Sequence, residues 1–419
     1  MLDIKFIREN AEAVRRNCIN KNDNSDIDGL LELDRQRRSL IQEGEDKKAR
    51  RNAVSQEISG LKKEGKDATA LIEEMRSVGD RIKAIDDILR DVEEKMDDIL
   101  LRIPNMAHES VPVGSSAADN VEVRRHGGLL DREYRKDHIE ISRSLGILDF
   151  ERGAKVTGSG FGFYIGKGAR LERALINFFL DTNTSRGYTE IVPPFVANPA
   201  SLKGTAQLPK SHDDMYYIDK DELYLIPTAE VPITNFHRDE MLSGDELPIR
   251  YAGYSACFRR EAGSHGKDTR GFLRVHQFNK VELVKFVRPE SSYDELEALV
   301  GDVEHLLTAL GLTYRVLLLC SGDMTFGGAK TYDLEVWSPH EQKWLEVSSC
   351  TNFESFQARR SSIRYKETPQ HKPEFVHTLN GSGLATSRIM VALLEHYQTA
   401  DGHITIPEVL QPYCGFDRI

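Results

Sequence analysis

Apolar residues recur at helical spacing over the first quarter of the chain. From Leu71 onward they fall at Leu71, Met75, Val78, Ile82, Ile85, Leu89, Val92, Met96 and Ile99, in alternating steps of four and three. That spacing is a coiled-coil seam. A looser stripe precedes it at Leu30, Leu33, Leu40, Val54, Ile58 and Leu61, interrupted by Arg37, Gly44, Lys47 and Arg51. Glu64-Gly65-Lys66-Asp67 separates the two. Two stripes of similar length around a short glycine-containing turn predict an antiparallel coiled-coil hairpin, with arms at about 30–61 and 69–101. An arm of about 32 residues reaches roughly 48 Å at 1.5 Å rise per residue. Pro104 stops the second arm, and residues 1 to about 27 read as a short helical and turn segment that packs locally. Residues 1–104 are therefore expected to form one helical unit.

The pattern then changes. Residues 105–135 are rich in Ser, Gly, Asp and Arg and predict a linker. From 136 to 419 a helix is expected at 168–186, on Leu171, Ala174, Leu175, Phe178 and Phe179. Short β-like runs follow at 188–192, 223–226, 271–275, 281–286, 314–319, 332–336 and 344–347, with helices at about 293–310 and 383–398. Strands separated mostly by turns and loops predict an α+β domain with a mainly antiparallel sheet flanked by helices. No G-x-G-x-x-G or Walker loop opens a helix after a strand, so the doubly wound nucleotide folds are not expected.

At 419 residues, two or three units are the natural expectation. The net charge of −11 argues by itself against a nucleic-acid partner, so only a local basic patch could reverse it. The hairpin carries one. Between Arg35 and Lys66 there are ten Lys/Arg against five Asp/Glu, whereas between Asp67 and Leu101 there are five against eleven. Charge alone permits two readings: solvated faces tied by salt bridges across the arms, or a basic stripe offered to phosphate at Arg37, Arg38, Lys47, Lys48, Arg50, Arg51, Lys62 and Lys63. Basic residues on the seam at Arg37, Lys47 and Arg51 pack poorly, which favours an outside partner. The five cysteines form no C-x-x-C pair, so neither a disulfide framework nor a zinc knuckle is expected. With no signal-like apolar start and no run of about 20 apolar residues, a soluble cytoplasmic protein without a membrane partner is expected.

The densest chemistry lies between Cys257 and Glu282. Phe258-Arg259-Arg260-Glu261 and Arg274-Val275-His276-Gln277-Phe278 flank a long polar loop. An anion between the two segments would meet Arg259 and Arg274, an adenine could stack on Phe278, and Glu261 could accept from its amine. Any one of these arginines alone would be read as a surface ion-pair former. The ordered set fits one nucleotide.

This segment resembles motif 2 of class II aminoacyl-tRNA synthetases, and its wording is similar to that of the seryl-tRNA synthetases of the bacterial type. Gly187 to Pro194 resembles motif 1, which in that family forms a homodimer interface. Asn380-Gly381-Ser382-Gly383-Leu384-Ala385-Thr386-Ser387-Arg388, read as a glycine-rich entry opening a helix, resembles motif 3. Thr228-Ala229-Glu230 resembles the serine-recognition segment, and the hairpin the tRNA-binding arm. The likeness runs the length of the chain in order. It implies a serine–tRNA ligase that activates L-serine with ATP and transfers it to tRNA(Ser), with tRNA(Sec) left open.

The resemblance also implies a site. Serine would be held by Thr228, Ala229, Glu230, Arg259, Glu282, Asn380 and Ser382. Thr228 and Glu230 would take the ammonium, Arg259 the carboxylate, and Glu282 and Ser382 the hydroxyl. ATP, as a substrate, would meet Arg259, Arg260, Glu261, Arg274, Val275, Phe278, Glu346, Val347, Ser348, Ser349 and Arg388, of which Arg259, Arg274 and Arg388 would carry catalysis. Arg260 falls in a variable slot. Glu346 and Ser349 offer hard oxygen donors, and the resemblance places Mg²⁺ on them. Cys350 next to them reads as a packed small residue. Since no cysteine lies near Thr228–Glu230, zinc is not expected.

Overall fold

The computed structural model describes residues 1–131, 133–262 and 271–419. The polar loop of the Cys257–Glu282 segment therefore lies largely outside the described residues. The chain divides into two compact units, one made mostly of residues 2–103 and the other of residues 104–419.

The first unit contains short helices at Ile4–Glu9 and Ala11–Asn20, then the two long ones, α1 (Ile27–Lys63) and α2 (Thr69–Leu100). The Asp26 carboxylate caps α1 by accepting from Gly29 N at 2.8 Å. On α2, Val78, Ile82, Ile85, Val92 and Met96 are buried as the alternation requires. Across from them lie Leu30, Leu40 and Val54. Two of the interruptions have a local explanation. Gly44 is buried against Ile85, whose Cγ2 would lie 3.6 Å from a Cβ placed at Gly44. The Arg37 Nε donates across the hairpin to Glu93 at 2.8 Å, which removes Arg37 from the argument for an outside partner. Lys48–Asp86 and Arg50–Glu74 tie the arms in the same way, at 3.4 and 3.1 Å. Arg38 pairs with Asp34, a carboxylate only 1% exposed that also receives Arg8. Of the eight basic residues in the stripe, four lie outside these pairs: Arg51, Lys62 and Lys63 stand exposed and Lys47 is half-buried.

The second unit is built on an eight-stranded sheet. Its strands in chain order are β1 (Val121–His126), β2 (Thr189–Glu190), β3 (Ile249–Phe258), β4 (Gln277–Val287), β5 (Tyr314–Leu318), β6 (Lys330–Ser338), β7 (Lys343–Asn352) and β8 (His377–Ala385). They lie side by side as β1-β5-β6-β7-β8-β4-β3-β2. All pairings are antiparallel except the edge pair β2–β3. Helices α3 (Lys167–Ser185), α4 (Ser292–Ala309) and α5 (Thr386–His396) bury their apolar faces against one side. Leu171, Leu175, Phe179, Leu299, Val303, Leu306, Ile389 and Leu393 meet Val281, Leu283, Leu334, Val347, Cys350 and Leu379 in that core.

Four expectations differ from the structure. The stretch 105–135 is more than a linker, because it supplies edge strand β1, which pairs with β5. Residues 271–275 form turns and bends rather than a strand. Residues 223–225 are a strand, but of a separate three-stranded sheet. The glycines of Asn380–Gly383 do not form a loop into a helix. They lie within β8, and α5 begins only at Thr386. A side chain at Gly381 would collide with Cys350 Sγ, 2.9 Å from the new Cβ, so the glycine serves close strand-to-core packing.

Candidate active site

Because side chains alternate along a strand, the face opposite the three helices receives its own set of residues. On β4 the alternation assigns Phe278, Lys280 and Glu282 to it, of which Lys280 lines the cavity, while Val281 and Leu283 belong to the core. On β8 it assigns Thr378, Asn380 and Ser382. β7 should give the same alternation, but Glu346 and Ser349, three apart, would then face opposite ways. A bulge resolves this. Leu334 pairs with Ser348 while Glu335 pairs with Glu346, so Val347 is an extra residue. Glu346 and Ser349 both line the cavity as a result, and Val347 is in the core.

The cavity over this face encloses about 590 Å³. Thr228, Glu230, Arg259, Glu261, Glu346, Ser349, Asn380 and Ser382 all line it, as the sequence argument requires of one site. Its floor is a hydrogen-bonded set. Thr228 Oγ1 donates to Glu282 Oε2 at 2.6 Å, and Asn380 Nδ2 donates to Glu282 Oε1 at 3.0 Å. Gln357 Nε2 donates to Glu230 Oε1 at 2.6 Å, and Thr378 Oγ1 donates in turn to Gln357 Oε1 at 2.8 Å. Burial, and next the charge of Glu282, push Glu230 up to about 7.

Beside this set the Arg259 guanidinium lies 5.1 Å from the centre of the Phe278 ring, with Nε donating to Pro227 O. Arg259 N donates to His276 O at 2.9 Å and the His276 ring Nδ1 to Arg259 O at 3.0 Å, while Arg274 is ion-paired with Glu261. Arg388, in the first turn of α5, donates to Glu346 O at 2.6 Å and to Leu273 O at 3.3 Å, with the Glu346 carboxylate 3.6 Å away.

Some expected contacts are not side-chain contacts. Ala229 is fully buried against Ile233 and Leu242, and Val275 and Val347 are in the main core, so only their main chain could meet a ligand. Ser348 is buried and donates to Ser382 O at 2.7 Å. Arg260 is exposed, and its main-chain N–H donates to Asp214 O.

Sequence reasoning missed Lys280, Gln357 and Asp333. Lys280 lines the cavity two residues before Glu282 on the same strand face, a spacing that could have flagged it once β4 was recognised as beginning at Gln277. Asp333 lies opposite Ser349 on β6, a register no linear motif exposes. Its Oδ1 is buried without a hydrogen-bond partner among the described residues. Burial, and next the Glu346 charge, hold its carboxyl well above the usual range. An orphaned carboxylate oxygen beside Glu346 and Ser349 makes an all-oxygen set that fits a hard dication such as Mg²⁺. Cys350 is fully buried, with burial pushing its thiol up to about 12, as befits packing.

Comparison with known proteins finds relatives along the whole chain. The family model of the Seryl-tRNA synthetase N-terminal domain matches residues 1–107. That of the tRNA synthetase class II core domain (G, H, P, S and T) matches residues 215–397. A serine–tRNA ligase of Chloroherpeton thalassium is 59% identical over 429 residues, covering 100% of both chains. Among solved structures, seryl-tRNA synthetase from Pyrococcus horikoshii complexed with ATP superimposes with a TM-score of 0.96 at 38% identity, covering 100% of this chain and 99% of that one. The cytoplasmic serine–tRNA ligase from Naegleria fowleri in complex with AMP gives 0.89 at 32% identity, covering 100% and 98%.

Proposed function

The chain belongs to the seryl-tRNA synthetase family, and from that premise we propose how its own residues carry out serine activation and transfer. The enzyme is an ATP-dependent serine–tRNA ligase. The observation that carries the assignment of residues is the convergence of Thr228, Glu230, Glu282, Asn380 and Arg259 with Glu346 and Ser349 around one cavity.

The serine ammonium meets Glu230, while Glu282 and Ser382 read the hydroxyl. A site built around such acceptors rejects an analogue that would leave them unpaired. Arg259 bridges the serine carboxylate and the α-phosphate. A carboxylate oxygen attacks the α-phosphorus, the bond to the bridging oxygen of pyrophosphate breaks, and seryl-adenylate forms. The ribose hydroxyl of the terminal tRNA adenosine then attacks the seryl carbonyl, and AMP leaves with the bonding electrons. Neither step needs a side-chain nucleophile. Positioning and charge neutralisation by Arg259, Arg274 and Arg388 do most of the work. Glu346, Ser349 and Asp333 would hold Mg²⁺, which when bound supplies charge neutralisation for the pyrophosphate.

The basic face of α1 takes the tRNA(Ser) backbone, with exposed Arg51, Lys62 and Lys63 the first contacts. Recognition there is mostly of shape and phosphate. Transfer to tRNA(Sec) is a second substrate to be tested in the same assay. A homodimer would cover the motif 1 edge, where Val192 is 77% exposed beside β2. The reaction belongs in the cytoplasm with its tRNA; no helix is long and apolar enough to cross a membrane among the described residues. Pyrophosphate exchange measured with each of the twenty amino acids, followed by charging of bulk tRNA, tests the assignment. Exchange that depends on another amino acid would overturn it.

A further inference from the structure

Serine arrives with one cation, one anion and one hydroxyl, and two buried carboxylates lie at the floor of the cavity, Glu230 on its lining and Glu282 behind Thr228 and Asn380. Glu230 and Glu282 are 6% and 0% exposed. Either could take the ammonium, and a substrate bound at the wrong one would turn its reacting carboxylate away from Arg259. The two differ in what already holds them.

Glu282 has a built-in counterion. Lys280 Nζ is ion-paired with Glu282 Oε2 and also donates to Thr228 Oγ1 at 3.0 Å. The Thr228 hydroxyl gives its single proton to the same Oε2 and accepts additionally from Glu230 N at 3.2 Å. Its two acceptor positions are thereby filled, which leaves the Thr228 hydroxyl no place for a substrate ammonium. With Asn380 on Oε1, Glu282 has donors on both oxygens, one of them charged. Among the described residues Glu230 has only the neutral amide of Gln357 as a side-chain donor, and Lys280 and Arg259 act on it through space without an ion pair. A buried carboxylate without a cation is costly, and one with a partnered ammonium far less so. The vacant electrostatic position in the floor is therefore at Glu230.

We propose that Lys280 is a specificity-determining positioning residue that neutralises Glu282 in advance, sending the serine ammonium to Glu230 and reserving Glu282 for the serine hydroxyl. This rests on the serine reading of the cavity. Lys280 acts through Glu282 and makes no contact with the reacting atoms. It lies on the same strand face as Glu282, and Lys280 is itself 5% exposed, so the pair is a fixed part of the cavity rather than a mobile surface bridge.

The test is serine-dependent pyrophosphate exchange in the full-length enzyme carrying Lys280→Met. We expect the KM for serine to rise at least about tenfold and the preference for serine over alanine to fall at least about tenfold, since the hydroxyl acceptor loses its fixed charge state. The KM for ATP stays unchanged, and Lys280→Arg restores part of the preference. An unchanged serine KM overturns the proposal. So does an equal loss toward serine and alanine, which is what a purely structural lysine would give. Should Lys280→Met leave an unpaired carboxylate that prevents folding, the double variant Lys280→Met/Glu282→Gln removes both charges. It should match Glu282→Gln alone in serine KM within about twofold, because Lys280 then has nothing left to act through. Additive losses in the double variant overturn the proposal. Wild-type enzyme with no serine-dependent exchange would instead remove the serine reading itself.

Discussion

Gln357 donates to Glu230 at 2.6 Å, so the carboxylate that forms no ion pair among the described residues rests on a neutral amide. Burial and Glu282 push that carboxylate up to about 7. Only the ionised form pairs with an ammonium. The serine KM should therefore rise by up to about tenfold per pH unit as pH falls below about 7. Exchange at saturating ATP between pH 5.5 and 8.5 reads this directly, and a flat serine KM would contradict it.

The same carboxylate affects stability with the opposite sign. In the unfolded chain it releases its proton near the ordinary 4.5, while the folded protein keeps the proton until about 7. Stability is thus lost as pH rises through that window, by roughly 3 kcal/mol above it. Glu230→Gln should stabilise the fold at pH 8 and leave it nearly unchanged at pH 4. Denaturant melts at the two pH values check the difference.

Arg259 lies over Phe278 on the lining of the cavity. Arg259→Ala should lower serine-dependent exchange at least about a hundredfold, the scale of losing one preorganised electrostatic contact in a dry site. Near-normal exchange would refute its bridging role.

Glu346 and Asp333 put two carboxylates beside Ser349. Asp333→Asn should raise the Mg²⁺ concentration for half-maximal exchange by about tenfold. Mn²⁺ titration of the ATP complex, followed by electron paramagnetic resonance, should show the same weakening without turnover.

Arg51, Lys62 and Lys63 are exposed and lie outside the cross-arm pairs. Changing all three to Glu should leave exchange intact while tRNA charging falls at least about tenfold near 0.1 M salt, with a weaker dependence on salt. Deleting residues 35–95 should spare exchange and abolish charging; equal loss of both would mean the hairpin is structural.

How much of this was legible in the sequence depended on periodicity. The seam from Leu71 to Ile99 predicted α2 almost to the residue, because a four-three alternation has one geometric meaning. Motif wording located Glu230, Arg259, Glu346 and Asn380. The central strand β8 was not foreseen. β8 contains Asn380, Gly381, Ser382 and Gly383, a composition that mimics a turn. Its glycines answer to Cys350 and Leu283 across the core, contacts far away along the chain. Lys280 and Asp333 escaped for the same reason, since each matters through a neighbour on another strand or the strand's face rather than through spacing in a motif.

The extra residue at Val347 lets this strand carry both oxygen donors through a change of length. A point substitution at Val347 that keeps its bulk should be tolerated, since the side chain belongs to the core. Removing that single residue would leave Glu346 and Ser349 two apart in a regular pleat, still on one face, at the cost of one valine from the core. A frame-preserving deletion of one codon there should thus lower stability while sparing the metal-side donors, whereas replacing either donor should do the reverse.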